Sequence, residues 1–214
     1  MRVVLISDTH GKHRQFEIPD GEVLIHAGDI MTRGWDGSEV RDFNDWLGSL
    51  PHPHKIVIAG NHDWLFEKHR STKNLITNAT YLQDSGVEID GFKFWGSPVQ
   101  PEFMGWAFNR KRGEDIKRHW DLIPDRTDVL ITHGPPAGFR DWTRLGNESL
   151  GCRNLRDAVA RIKPKLHVFG HIHGGYGEDH DGDVHFVNAS LVDEAYRPVN
   201  KPIVVDLQAV TKSR

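Results

Sequence analysis

The chain of 214 residues has almost no cysteine, no long apolar run and no excess of basic charge. Its one cysteine, Cys152, cannot form an internal disulfide, which favours a reducing, cytoplasmic setting. The apolar run that opens the chain is far too short for a signal sequence or a membrane span. The formal net charge of −3 provides no broad basic surface for long nucleic acid. We therefore expect a single domain over residues 1–214 that binds a small substrate.

Short runs rich in β-branched residues recur along the chain, and each one ends in a cluster of polar residues. They are RVVLISDTH, EVLIHAGD, HKIVIAGNHD, DVLITHGPP, LHVFGHIH, DVHFVNAS and PIVVDL. Their apolar residues are consecutive rather than alternating, which predicts strands that are buried on both faces. The segment GVEIDGFKFWGSP alternates instead, and Asp90-Gly91 at its centre predicts a two-residue hairpin turn.

Two segments between these runs have the spacing of amphipathic helices. Their apolar stripes are Val40, Phe43, Trp46, Leu47 and Leu50 in the first, and Leu155, Ala158, Val159 and Ile162 in the second. Ser38 is the predicted N-cap of the first helix, and Pro51 and Pro164 follow the helix ends. This order of elements predicts a layered α/β domain with a mixed sheet, one end of which is covered by the less regular residues 97–127.

Side chains that can bind a metal are concentrated where the predicted strands end. Histidine is frequent, with 14 residues, and imidazole is the commonest metal ligand in proteins. The candidates after five strands are Asp8, His10, Asp29, Asn61, His62, Asp63, His133, His171 and His173. Any one of them alone could be a turn residue or part of a loop surface. Their concurrence favours one shared site, because functional groups in α/β sheets gather beyond the carboxyl ends of the strands.

The residue types in this set favour one kind of chemistry. Carboxylates, imidazoles and an amide, without thiolates, suit Mn, Fe, Zn or Mg better than a structural zinc site. The Asp29 carboxylate can bridge two ions. Two ions about 3.5–4 Å apart can share a bridging hydroxide that attacks a phosphoryl group.

Five blocks, DTH, GD, GNHD, THGPP and GHIH, resemble in their order and spacing the signature of the calcineurin-like metallophosphoesterases. Longer stretches are similar to the MPPED group of that superfamily, which is related to class III cyclic nucleotide phosphodiesterases. These stretches are FNDWLGSLP, KIVIAGNH, GSPVQPEFMGWAFN, THGPPAGFRDW and KLHVFGHIHGGYG. The resemblance covers nearly the whole chain and implies a four-layer α/β fold, a β-sandwich of two mixed sheets flanked by helices.

The resemblance also implies a role for each matching residue. It places a first metal ion on Asp8, His10, Asp29 and His173, and a second on Asp29, Asn61, His133 and His171. The implied cofactors are two divalent ions, Mn²⁺ first, with Fe, Zn or Mg as alternatives. His62 matches the family's histidine that contacts the phosphate and assists the leaving group.

His171 and His173 stand one residue apart, just before the sequence GGYG. In an extended strand their rings would point to opposite sides of the chain. A turn into the glycine-rich segment lets each histidine address a different ion. We therefore predict a turn at this point, with glycines that let the backbone leave the site.

The second block departs from the pattern Gly-Asp-x-x-Asp-Arg-Gly, in which the later Asp orients the catalytic histidine. Here the block reads GDIMTRG, with Thr32 at the position of that Asp. Asp63, directly after His62, is not expected to take the missing role. A weaker general acid favours substrates with good leaving groups.

We expect a phosphodiesterase that acts on cyclic nucleotides or related small phosphodiesters, as the resemblance implies. The alternatives are hydrolysis of phosphomonoesters and a metal-bound scaffold of low activity, whereas a nuclease for long nucleic acid would need a basic track. Candidate substrate contacts are Arg33, Asn109 and Arg140, and candidate stacking partners for a nucleobase are Trp35, Trp64, Trp106 and Trp142, for which packing is the commoner role. If the chain assembles, we expect a C₂ homodimer.

Overall fold

The computed structural model describes residues 1–143 and 148–208. In chain order the strands are β1 (Arg2–Ile6), β2 (Val23–His26), β3 (His54–Val57), β4 (Thr80–Tyr81), β5 (Ser85–Ile89), β6 (Phe92–Ser97), β7 (Gln100–Pro101), β8 (Asn109–Arg110), β9 (Val129–Thr132), β10 (Trp142–Thr143), β11 (Glu148–Ser149), β12 (Leu166–Phe169), β13 (Gly177–Asp181), β14 (Val184–Asn188) and β15 (Ile203–Asp206). The α-helices are α1 (Gly37–Ser49), α2 (Trp64–Lys68), α3 (Glu114–Trp120) and α4 (Arg153–Ile162). Short 3₁₀ segments cover His13–Gln15, Arg70–Leu75 and His173–Gly175.

The strands form two large mixed sheets, where sequence patterning alone predicted one. The first sheet has the order β15-β1-β2-β3-β4, with β15 antiparallel to β1 and the other pairs parallel. The second has the order β13-β14-β12-β9-β6-β5, with parallel pairs in the middle and an antiparallel hairpin at each side. The hairpin turn predicted at Asp90-Gly91 is confirmed, since Ile89 pairs with Phe92 and both turn residues have positive φ.

The two sheets pack face to face, and β1 illustrates why its apolar residues are consecutive. Val3 and Leu5 enter the core between the sheets, where they join Val168 of β12. Val4 and Ile6 point the other way, into the core beneath α1. Burial of each such side chain contributes about 1.5–3 kcal/mol. Because both faces of β1 are buried, its apolar residues are consecutive, and polar side chains appear only where the strand ends.

Helices cover both outer faces, which gives the four layers that the family resemblance implies. On the first sheet, α1 buries Phe43 and Leu47. On the second sheet, α3 and α4 bury Trp120 and Leu155. The predicted N-cap of α1 was wrong: the helix begins at Gly37, and the Asp36 carboxylate accepts the Ser38 amide at 2.8 Å. Ser38 already lies in the first turn, so the extended residue before the helix takes the cap.

The less regular residues 97–127 hold β7, β8 and α3 and form part of a wall beside the candidate site. In residues 1–143 and 148–208, no helix has the length and apolarity that crossing a membrane requires.

Candidate metal centre

The candidate ligands lie where strands of both sheets end side by side. Asp8 and His10 follow β1, Asp29 follows β2, Asn61 follows β3, His133 follows β9, and His171 and His173 follow β12. An isolated parallel bridge between Ser7 and Ser190 joins the two sheets at this end. The His171 amide donates to both Asp8 carboxylate oxygens at 3.1 Å. The two sheets therefore contribute to one site.

Several of these residues have a backbone conformation that is unusual for residues with side chains. The φ angles of Asp8, His10, Asp29 and His171 are 55°, 43°, 57° and 67°. Left-handed backbone costs such residues about 1 kcal/mol or more each. The left-handed turn at His171 bears out the predicted departure from an extended strand. The strained backbone therefore occurs at residues whose side chains point into the candidate site.

The first ligand group comprises Asp8, His10, Asp29 and His173. Nε2 of His173 lies 3.3 Å from Asp8 Oδ1 and 3.4 Å from Nε2 of His10. His10 Nε2 in turn lies 3.6 Å from Asp29 Oδ2. Imidazole nitrogens and carboxylate oxygens therefore converge on one point.

The second ligand group comprises Asp29, Asn61, His133 and His171. Asn61 Oδ1 lies 2.8 Å from His133 Nε2 and 2.7 Å from His171 Nδ1. His133 Nε2 is also 3.4 Å from Asp29 Oδ1. One Asp29 oxygen thus lies near the other ligands of the first group, and the second oxygen lies near those of the second group. His171 belongs to the second group and His173 to the first.

Hydrogen bonds from behind orient the ligand side chains. Nδ1 of His133 donates to the Ala27 carbonyl and Nδ1 of His173 to the Asp193 carbonyl, both at 3.0 Å. Each bond leaves Nε2 free to face the site. Ser190 Oγ donates to Asp8 Oδ2 at 2.8 Å. No sequence motif pointed to Ser190 or Asp193 as supporting residues.

Asp63 ties together the two loops that hold Asp29 and Asn61. Its buried carboxylate accepts the amides of Ile30, Met31 and Gly60 at 3.2, 2.9 and 2.7 Å. Gly60 must be glycine, because a Cβ there would collide with Asp29 Oδ1. Asp63 therefore has a structural task, in agreement with the expectation that it does not replace the missing Asp.

The electrostatics of the buried groups fit a cation. Burial lowers the pKa of His133, but the Asp29 and Asp8 carboxylates and the Ala27 carbonyl together outweigh burial and raise that pKa to about 9. Burial lowers the pKa of His10 to about 4 and that of His171 to about 3. Several sets of three ligand atoms lie within 4.8 Å of one another, and each set contains Asp8 or Asp29. His10 and His171 are therefore neutral near pH 7, and a divalent ion beside the buried carboxylates would replace the proton of His133.

His62 is oriented by a main-chain atom at the position that departs from the family pattern. Its Nδ1 donates to the Thr32 carbonyl at 3.0 Å. Its ring stacks on Trp106 with centroids 4.4 Å apart and planes at 23°. The His62 amide donates to Asp29 Oδ1 at 2.8 Å. A carbonyl and an aromatic ring therefore orient the His62 imidazole, and Nδ1 bonds to that carbonyl in place of a carboxylate.

A cavity of about 460 Å³ opens onto both ligand groups. Its polar floor includes Asp29, Asn61, His62, His171 and His173. Its walls include Pro101, Phe103, Met104, Trp106, Arg112, Pro135, Leu150 and Tyr196. Sequence reasoning missed Arg112 and Tyr196, which belong to no recognisable block. The cavity combines a polar floor with a largely apolar wall.

The predicted substrate contacts are not among the residues that line this cavity. Arg33 is exposed, Asn109 Nδ2 donates to the Phe103 carbonyl at 2.8 Å, and Arg140 donates to the Glu178 carbonyl. Their role in substrate binding stays a prediction. Of the four tryptophans, Trp106 lines the cavity, Trp35 stacks on Trp64, and Trp142 is about half exposed.

Comparison with known proteins places this arrangement in a family. The model of the family described as calcineurin-like phosphoesterase matches residues 1–175. Metallophosphoesterase domain-containing protein 1 of Homo sapiens is 47% identical over 231 residues, covering 96% of this chain and 71% of the relative, and the Mus musculus protein gives the same values. The crystal structure of TT1561 of Thermus thermophilus shares the fold, with a TM-score of 0.56, 12% identity and coverage of 87% and 88%.

The family match and the candidate metal ligands together identify the chain as a metal-dependent phosphoesterase, which is a hydrolase. The chain belongs to the calcineurin-like phosphoesterase family, and the relatives named above are its metallophosphoesterase domain-containing members.

Proposed function

We propose that the protein hydrolyses phosphodiester bonds of cyclic nucleotides or related small phosphodiesters at a dinuclear metal centre. The observation that carries this proposal is the position of Asp29, whose two carboxylate oxygens face His10 and His133 respectively. Bound divalent ions would polarise the phosphoryl oxygens and activate water for attack. Mn²⁺ is the ion we propose, with Fe, Zn and Mg as alternatives, since these donors accept them all.

His62 acts on the leaving group in this proposal. Because Nδ1 is held by the Thr32 carbonyl, Nε2 is the nitrogen that can face the substrate. As the bond between phosphorus and the leaving oxygen breaks, Nε2 gives its proton to that oxygen. A neutral carbonyl stabilises the imidazolium less than a carboxylate would, so substrates with good leaving groups are favoured.

The form of the cavity supports a diester over a monoester. A phosphodiester carries a second organic group, which needs surface beside the reacting phosphorus. Trp106 stacks on His62 and lines the same cavity as Phe103 and Leu150, so these three side chains offer such a surface. A phosphomonoester carries only one organic group and would therefore use less of this wall.

The test compares the Mn²⁺-loaded protein on a cyclic nucleotide, a linear phosphodiester and a monoester that share one leaving group. We expect turnover of the diesters, and we expect His62→Ala to keep its metal but lose activity by about 10²- to 10⁴-fold. His69→Ala, at an exposed histidine just after α2, is the matched control. Near wild-type turnover in His62→Ala would refute the role of His62.

Two other outcomes would replace the proposal. A clear preference for the monoester would make the chain a phosphomonoesterase of the same fold. No turnover of any substrate by metal-loaded protein would favour a metal-bound scaffold. The homodimer stays a prediction that a molar-mass measurement in solution tests.

A further inference from the structure

Tyr196 enters the site from a turn of residues 193–197 that lies beyond the family match, which ends at residue 175. The Tyr196 amide donates to the Asp193 carbonyl at 2.8 Å. The Asp193 carboxylate accepts the Arg197 amide at 2.9 Å and pairs with the Arg197 guanidinium at 2.6 Å. These bonds hold Tyr196 in the left-handed region, with a φ of 58°. Such a conformation persists only where surrounding contacts fix it.

The strained turn directs the tyrosine ring against the first ligand group. The ring centroid lies 4.8 Å from that of His10 and 5.2 Å from that of His173, in edge-to-face geometry. The same turn supplies the Asp193 carbonyl that orients His173. Tyr196 nevertheless remains 42% exposed, because one side of it borders the cavity.

The hydroxyl of Tyr196 lies at the reacting end of that cavity. Tyr196 Oη is 3.5 Å from His62 Nε2, the nitrogen that faces away from Thr32. A phosphoryl group whose leaving oxygen accepts a hydrogen bond from Nε2 would therefore bring another of its oxygens within reach of the phenol. Trp106 contacts the His62 ring by stacking, whereas the hydroxyl reaches the ring's edge.

We propose that Tyr196 is a further substrate-binding residue, whose O–H donates a hydrogen bond to a phosphoryl oxygen beside His62. The inference rests on the proposed function, because it concerns the same phosphoryl group. Negative charge on the equatorial phosphoryl oxygens must be stabilised throughout the transfer. A fixed neutral donor provides that stabilisation without placing another charge beside the ligands.

The test measures binding of inorganic phosphate to the Mn²⁺-loaded protein by calorimetry, together with kcat and KM for a phosphodiester. Tyr196→Phe removes the hydroxyl and keeps the ring that contacts His10 and His173. We expect phosphate affinity and kcat/KM to fall about 10- to 100-fold, as for loss of a hydrogen bond to a charged group, with metal content unchanged. Tyr81→Phe is the matched control, since its hydroxyl contacts Gln83 outside the cavity.

Phosphate affinity within twofold of the wild type in Tyr196→Phe would overturn the inference, and so would a loss of metal that parallels the loss of phosphate. Failure of the inference and failure of the proposed function are distinguishable. Phosphate binding that depends on Tyr196, without any diester hydrolysis, would refute the proposed function and leave the inference standing. Diester hydrolysis that is equal in wild type and Tyr196→Phe would refute only the inference.

Discussion

The two ligand groups share Asp29 but are built differently. In the second group, the Asn61 amide oxygen lies 2.8 Å from His133 Nε2 and 2.7 Å from His171 Nδ1, so three candidate ligands meet at one atom. In the first group the separations are 3.3–3.6 Å, which matches the 3.4 Å between Asp29 and His133 in the second group. The second group therefore differs from the first by the close contacts of Asn61 and not by its distance from Asp29.

The two groups also differ in how the last fifth of the chain supports them. In the second group, Asn188 Nδ2 donates to the Ile172 carbonyl, a backbone atom beside His171, at 2.8 Å. In the first group, Ser190 supports Asp8, and Asp193 and Tyr196 support or cover His173. All three supporting residues lie beyond the segment that defines the family. In the described residues, the last fifth of the chain therefore contacts ligand side chains of the first group directly, whereas it supports the second group through the backbone beside His171.

Asp29→Asn should break both groups at once, and it is the largest effect we predict. The amide has one oxygen and no charge, so it cannot serve two cations. Activity should fall by about 10³-fold or more, since bound metal contributes several kcal/mol. Metal analysis after dialysis should show loss at both positions, whereas Asp121→Asn, in an exposed ion pair with Lys117, should keep both. Two tightly held ions in Asp29→Asn would refute the shared carboxylate.

His171→Gly should weaken the second group alone. Glycine suits the φ of 67° at this position, so the change removes the imidazole without adding backbone strain. We expect the affinity for one ion to fall about 100-fold or more. Loss of a ligand should cost more than loss of a residue that only hydrogen-bonds a ligand, which lowers metal affinity about 10- to 100-fold. A two-step metal titration measures this, and the reciprocal variant His173→Gly should weaken the other step. Two tight ions and full activity in His171→Gly would contradict the assignment.

Ser190→Ala should produce the smallest effect and sharpen the difference between the groups. It removes one hydrogen bond to Asp8 and leaves every ligand in place. Affinity for the first ion should fall about 10- to 100-fold, with the second unchanged. Ser49→Ala, whose hydroxyl bonds to Trp46 at the end of α1, is the control in the same titration. Equal weakening of both ions would show that the groups are not independent.

Much of the fold was predictable because burial leaves a direct pattern in the sequence. Consecutive apolar residues in β1 indicated a strand covered on both faces, and Asp90-Gly91 indicated the hairpin of β5 and β6. The cap of α1 was misplaced by two residues, since Asp36 and Ser38 are both good capping types. The existence of two sheets followed from family resemblance and not from periodicity, because periodicity does not say which strands pair.

The candidate site was predictable only where side chains of distinctive chemistry follow strands. The seven candidate ligands come together as two groups, although their binding of metal stays a prediction. The partner of His62 was not predictable, because it is the main-chain carbonyl of Thr32 and any residue has one. The position of Tyr196 in the site was also not predictable, since it depends on a turn that contains no sequence motif. Arg33 matches a motif, yet it is exposed and does not line the cavity.

The three amide bonds to Asp63 have a consequence for the thermodynamics of metal binding. They fix the loops after β2 and β3 to each other through protein atoms alone. Asp29 and Asn61 are therefore already at their mutual distance before any ion arrives. Little of the binding free energy is spent on ordering these loops, so ion affinity reflects chiefly desolvation and release of the proton from His133, whose pKa is about 9.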